Sequence, residues 1–217
     1  MNYKEVNKKN ASEQIIAAKE SNNYNIRLNL ITKEIENHWT KDQNMIMNEQ
    51  RVLDIGCREM QLKKLLNSNY YIYKGVDMFN FGQDKVLDIT KQKLPYKDYE
   101  FDAVVMSEVL EHLTSHELVM REAHRVLNKD GIIIITVPNL HRIDLSLLRQ
   151  FTKAEERRQG VHICGFGEYE LNNLLRMFNF KPVKIRRFYN HKGSIKLPEW
   201  RIFGGFAEWI IAVAKKV

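Results

Sequence analysis

The sequence predicts an α/β protein built on a largely parallel, doubly wound sheet with helices on both faces, and two observations predict it. Strand and helix signals alternate from residue 51 onward: apolar runs at 51–55, 71–76, 86–89, 101–106 and 132–137 are separated by polar or helically periodic segments. The first run, RVLDIGCREM over 51–60, carries an acid at Asp54, turns at Gly56, and precedes Leu62, Leu65 and Leu66 at the spacing of a helix face. A strand, a glycine turn and a helix N-terminus make a place for a nucleotide-like ligand. In such a sheet, ligands sit outside the carboxyl ends of the strands.

The 217 residues, 44% of them apolar, suffice for one domain of ordinary size with a real core. The longest apolar stretches, 132–137 and 207–214, fall short of the roughly 18 residues of a membrane span, and no N-terminal apolar leader is visible, so a cytoplasmic protein is expected. The two cysteines, Cys57 and Cys164, have no metal-ligand spacing; no metal is expected, and Cys57 reads as a small packing residue. The formal charge of +7 comes from scattered lysines and arginines without a dense basic block, which favours a basic solvated surface over a nucleic-acid interface.

Taken in order, residues 1–11 are polar and expected to fray. Residues 12–39 are helical in pattern, with Leu28, Ile31, Ile35 and Trp39 on one face and a break suggested at Asn22 and Asn23. These helices either cap a ligand site or cover a sheet edge, and 41–50 is a polar connector. The second strand ends KGVDMF, so Asp77 stands about twenty residues past the glycine turn, where an acid can accept hydrogen bonds from ribose hydroxyls. An Asp in that place also begins turns. Asp88, in KVLDIT, ends the third strand and reads from the residues as a turn-forming Asp before Thr90.

The stretch FDAVVMSEVLEHL, 101–113, contains Ser107, Glu108, Glu111 and His112. The three ionisable groups read either as a base shaping a pocket or as structural hydrogen-bonding residues. Thr114 with Glu117 suggests a capping box, Val119, Ala123, Val126 and Leu127 an apolar helix face, and Gly131 a turn into the fifth strand. The basic segment 140–167, with Arg142, Arg157 and Arg158, suits a substrate lid or a surface excursion. A helix is expected through Leu171, Leu174, Leu175 and Phe178, broken by Pro182 before the alternating 183–188. The C-terminal 209–213 is expected to be a strand. Trp200, Phe203, Phe206 and Trp209 read alternatively as an amphipathic helix making peripheral membrane contact.

VLDIGC resembles the first motif of class I S-adenosylmethionine (SAM)-dependent methyltransferases, and FDAVVMSEVLEHL with REAHRVLNKDGIIIITVPN is similar to their fourth strand, next helix and fifth strand. The resemblance, closest to the small-molecule methyltransferase type 11 and 12 families, spans roughly 50–217. It implies a Rossmann-like sheet of seven strands, mostly parallel with a C-terminal antiparallel pair. The implied domains are an N-terminal helical extension, 1–48, and a SAM-binding domain, 49–217, with a lid-like insertion at about 140–167. The cofactor is SAM, with S-adenosylhomocysteine (SAH) as product. Cofactor-binding positions are Asp54, Gly56, Cys57, Arg58, Asp77, Met78, Asp88, Ile89 and Ser107, with Asp77 on the ribose and Asp88 near the adenine. The catalytic candidates are His112 and Glu108. The implied activity is O-methyl transfer to a small-molecule acceptor, a sugar or surface-polysaccharide precursor.

The chain departs from the family where its second and third glycines stand, which are here Arg58 and Met60. Side chains there crowd the backbone approach to a ligand, the mark of a non-catalytic module that has lost cofactor binding. Alternatively, Arg58 turns to the SAM carboxylate. A nicotinamide-dependent oxidoreductase is disfavoured by the absent GxGxxG, and a nucleic-acid methyltransferase by Val137-Pro138-Asn139 in place of an acid/Asn-Pro-Pro-aromatic motif.

Overall fold

The computed structural model describes residues 22–39, 49–139, 163–188 and 209–217, the side chains of 22–25 apart. The elements are α1 (Asn22–Trp39), β1 (Gln50–Ile55), β2 (Tyr71–Asp77), β3 (Lys85–Val86), β4 (Phe101–Ser107), α2 (Glu117–Val126), β5 (Leu127–Pro138), α3 (Glu168–Met177), β6 (Phe180–Phe188) and β7 (Trp209–Lys216). The expected frayed N-terminus, the helix before residue 22, most of the connector, the lid 140–162 and the aromatics at 200, 203 and 206 lie outside the described residues.

One seven-stranded sheet runs β3-β2-β1-β4-β5-β7-β6. The pairs β1–β2, β1–β4, β2–β3 and β4–β5 are parallel, whereas β7 runs antiparallel to both β5 and β6. Trp209 therefore opens a strand, and the alternative of an amphipathic helix through it is corrected. The reason is packing: from Ile210 to Ala214 every residue of β7 is buried between β5 and β6.

Both sheet faces are covered, which is why the central strands read as continuous apolar runs. On one face Leu28, Ile31 and Ile35 of α1 join Val52, Val105, Ile134 and Val213. On the other, Val119, Met120 and Ala123 of α2 and Leu171 and Leu175 of α3 meet Leu53, Val104, Ile133 and Ala212. The helix before β1 is thus part of the core, covering a sheet face where a sheet edge was considered.

Several local expectations need correction. After β1 there is only a single 3₁₀ turn, Leu62–Lys64; Leu62 and Leu66 are buried but Leu65 is exposed. The capping box at Thr114 is absent, because α2 starts later, with His116 at its N-cap and no side-chain cap. Gly131 lies within β5, not in a turn, and its small size has another cause: a Cβ there would come within 2.9 Å of the Asp102 carbonyl oxygen and 2.8 Å of Leu127 Cγ. Pro182 does not separate helix from strand. It sits inside β6, at the sheet edge and at a register shift, where a missing N–H is tolerated. The break is made by Asn179, left-handed at φ 60° beyond the end of α3. β3 is shorter than expected, so Asp88 and Ile89 fall beyond its end.

Candidate active site

The chain fills the sheet outward from β1 on one side and from β4 on the other, so the loops after these neighbours part company and leave a crevice at their carboxyl ends. A cavity of about 420 Å³, its open mouth included, occupies that crevice. Asp54, Gly56, Cys57, Arg58 and Leu62 line it from the β1 side and Val105, Ser107 and Glu108 from β4, while α1 closes it with Arg27 and Leu28.

The loop after β1 keeps the backbone of a glycine-rich turn despite its sequence. Gly56 has φ 76°, and Arg58 and Met60 have φ 44° and 53°, so all three alternate positions are left-handed. Gly56 is doubly required, since a Cβ there would stand 2.5 Å from Val109 Cγ2. Non-glycine residues at positive φ carry strain that the surroundings must hold. Here the N–H groups of Gly56 and Cys57 donate to the Val76 carbonyl at 2.8 and 3.1 Å, and that of Met60 donates to the Cys57 carbonyl at 2.8 Å. The Arg58 N–H donates to Asp77 Oδ2 at 3.0 Å, while Asp77 Oδ1 accepts the Phe79 N–H at 3.0 Å.

Asp54 is buried beneath this loop, where the Tyr73 hydroxyl donates to its Oδ2 at 2.7 Å. Burial pushes its carboxyl up to about 7; the Tyr73 bond opposes the shift and the Asp77 charge adds to it. Cys57 is an inert thiol: burial raises it far above the usual range, and the nearby Asp54 and Asp77 charges raise it further. Its sulfur fits only because position 75 is glycine, where a Cβ would lie 2.8 Å from Cys57 Sγ.

At the β4 side, Glu108 takes φ 57°. Its carboxylate accepts the Trp209 indole N–H at 3.0 Å and the Thr136 hydroxyl at 3.3 Å, and Arg27 Nη1 stands 3.4 Å away. The Ser107 and Thr136 hydroxyls meet at 3.1 Å. Glu111 follows in a 3₁₀ turn, Leu110–His112, and is 2% exposed. Its backbone carbonyl accepts the N–H groups of Ile163 and Cys164 at 2.7 and 3.3 Å, which ties the end of the expected lid to this turn. Burial, and then the Glu108 charge, push its carboxyl up, with its own backbone N–H and then Arg27 and Arg58 pulling the other way.

Of the sequence candidates, Asp54, Gly56, Cys57, Arg58, Ser107 and Glu108 come together around the cavity. Asp77 touches it through the Arg58 amide. Met78, Asp88, Ile89 and His112 are not in its wall. Asp88 makes the local turn instead, its Oδ1 accepting the Thr90 N–H at 3.1 Å and the Thr90 hydroxyl at 2.5 Å, with Lys91 at 3.2 Å. His112 stands with Nε2 3.8 Å from Glu111 Oε1. Sequence reasoning missed Arg27, Tyr73 and Trp209. For Tyr73 a signal existed, since it lies two residues before Gly75 on the strand face that ends at Asp77. For Arg27 and Trp209 none did, because their roles depend on how α1 and β7 dock.

The strand order, the antiparallel final pair and a cavity behind a left-handed loop after β1 define a class I SAM-dependent methyltransferase fold. The chain belongs to the methyltransferase-domain family, whose model matches residues 21–185. It is 27% identical over 154 residues to an uncharacterised protein of Methanocaldococcus jannaschii, a match covering 65% of this chain and 61% of that protein. Its fold is similar to a SAM-dependent methyltransferase from Archaeoglobus fulgidus, with TM-score 0.58 and 17% identity over 85% of this chain and 94% of that one. It is also similar to a Burkholderia thailandensis 1,6-didemethyltoxoflavin-N1-methyltransferase with bound 1,6-didemethyltoxoflavin and SAH, with TM-score 0.54 and 16% identity over 78% of this chain and 72% of that one.

The cofactor that this family and fold imply is SAM, and the residues present fit it. The backbone at 56, 58 and 60 has the shape a glycine-rich turn would have, Gly56 lines the cavity without a side chain, and buried acids stand ready at Asp54 and Asp77.

Proposed function

We propose that the protein is a SAM-dependent methyltransferase acting on a small molecule, with O-methyl transfer to a sugar or surface-polysaccharide precursor as the particular reaction. The observation that carries the reading is the left-handed backbone retained at Arg58 and Met60 as well as Gly56, a strained shape with no use in a module that binds nothing. Bound SAM supplies a methyl group on a sulfonium leaving group. Everything else falls to the chain, which must hold, orient and exclude water.

In this reading Asp54 faces the ammonium of the methionine part and Arg58 its carboxylate, across the cavity wall they share. Asp77 has spare lone pairs on both oxygens for the ribose hydroxyls while it fixes the loop through Arg58. Met78 and Ile89 flank the adenine, with Asp88 at its edge. Cys57 packs beneath the ligand, and Ser107 borders the methyl-bearing end. Glu108 and His112 belong to the acceptor half, where Glu108 is held by Trp209 and Thr136. Ile163 and Cys164, at the end of the expected lid, are held on the Glu111 carbonyl beside the acceptor half.

Isothermal titration with SAM and with SAH tests the reading, followed by label transfer from methyl-labelled SAM to a panel of sugars, sugar nucleotides and other hydroxyl compounds. Binding of both ligands with labelled product in that panel is expected. Absence of any SAM or SAH binding would overturn it.

A further inference from the structure

Glu111 is the least satisfied charged group among the described residues. It is 2% exposed, and neither carboxylate oxygen accepts a hydrogen bond from another of those residues; the His112 ring nitrogen, at 3.8 Å, is out of reach. A buried carboxylate left in this state is expensive, so a native protein that keeps one has a use for it. Glu111 is not itself in the cavity wall; it stands in the 3₁₀ turn that follows cavity-lining Glu108, and the charges of Glu108, Arg27 and Arg58, which do line the cavity, act on it. Glu108, three residues earlier, is already engaged by Trp209, Thr136 and Arg27, so it has little capacity left for a ligand.

We propose that Glu111 is the proton acceptor of the methyl-acceptor subsite, meeting the positive charge that passes from sulfur to the acceptor. The proposal rests on the cofactor reading above. As the acceptor's lone pair forms its bond to the methyl carbon, the carbon–sulfur bond breaks and its electron pair stays on sulfur, giving neutral SAH. The proton leaves the acceptor's O–H or N–H for the Glu111 carboxylate, which becomes a carboxylic acid. The acceptor is therefore a neutral protic nucleophile, and a group that carries no proton is a poor substrate. Among the described residues, the charged and titratable groups facing Glu111 are Arg27 of α1, Arg58 of the loop after β1, Glu108 and His112 of its own turn, and Cys164 of the segment bonded to its carbonyl.

The test needs no acceptor. Sinefungin carries an amine where SAM carries the transferable methyl, so its ammonium reports an anion at the place the charge crosses, and SAH, which lacks the charge, is the reference. By calorimetry in EDTA, the wild type is expected to prefer sinefungin over SAH, the preference rising with pH as Glu111 deprotonates. Glu111→Gln is expected to cut that preference about tenfold and flatten its pH dependence while SAH affinity stays within about twofold. The variant is also expected to be more stable than the wild type, since it removes an unpaired buried charge. An unchanged, pH-independent preference in Glu111→Gln would overturn the proposal. So would a preference that appears only with added magnesium and is abolished by EDTA, which would make the carboxylate a metal ligand. If Glu111→Gln does not fold, the wild-type pH profile decides, a flat one overturning the proposal. Failure of SAH to bind the wild type at all would instead overturn the cofactor reading.

Discussion

Replacing Asp54 by Asn asks whether the acid at the end of β1 is kept at the expense of stability. Asp54 is 5% exposed and bonded by the Tyr73 hydroxyl at 2.7 Å. Burial pushes its carboxyl from 3.8 to about 7, so the folded chain holds this proton more tightly than the unfolded chain does. The stability linked to it is complete below pH ~4 and is lost as pH rises through ~7. A shift of about three pH units at about 1.4 kcal/mol each sets an upper bound of about 4 kcal/mol, and local relaxation lowers this to ~2–4 kcal/mol. Asn is neutral throughout and keeps an oxygen for Tyr73. Asp54→Asn is therefore expected to match the wild type at pH 4 and exceed its unfolding free energy by ~2–4 kcal/mol at pH 8, read from urea denaturation across that range. Other titrating groups cancel in the difference between the two proteins. A difference that does not change with pH would refute the reasoning. The same variant is expected to bind SAM and SAH more weakly, and the wild type to release a proton on binding near pH 7, seen in titrations in buffers of different ionisation enthalpy.

Arg58→Gly relaxes a residue at φ 44° but removes one of the two arginines that line the cavity. Stability is expected to rise by ~0–1 kcal/mol while SAH affinity falls about tenfold, and unchanged affinity would show that the guanidinium is only tolerated. Asp77→Asn puts an NH₂ against one of the two backbone N–H groups that the carboxylate now accepts. It is expected to lower the stability of the ligand-free protein by ~1–3 kcal/mol as well as SAH affinity; a pure ribose ligand would leave ligand-free stability unchanged. Gly131→Ala would force a methyl against the Asp102 carbonyl and the Leu127 side chain, so the melting temperature is expected to fall with SAH affinity per folded molecule unchanged.

The sequence by itself determined the sheet. Alternating apolar runs specify buried strands joined by crossovers, and β1, β2, β4, β5 and β7 lie close to where those runs were read, because a strand covered on both faces has almost no polar choices left. It also determined the loop after β1, since Gly56 and the acids at 54 and 77 are tied to strand ends by local spacing. What only the tertiary structure decided is which side chains from distant segments converge. Arg27 reaches the cavity because α1 packs across the sheet face, Trp209 reaches Glu108 because β7 lies beside β5, and Tyr73 reaches Asp54 because β2 pairs with β1 in one register. Asp88 shows a residue with two uses: the position that the family resemblance offers to the adenine also shapes its own turn, with Thr90 two residues away. Arg58 and Met60 mark the boundary between the two kinds of information. Residue type argues against a left-handed backbone, yet the hydrogen bonds that the loop N–H groups donate to Val76, Cys57 and Asp77 impose it. Local preference amounts to only ~1–2 kcal/mol per residue, and a set of long-range bonds that must all be satisfied at once outweighs it.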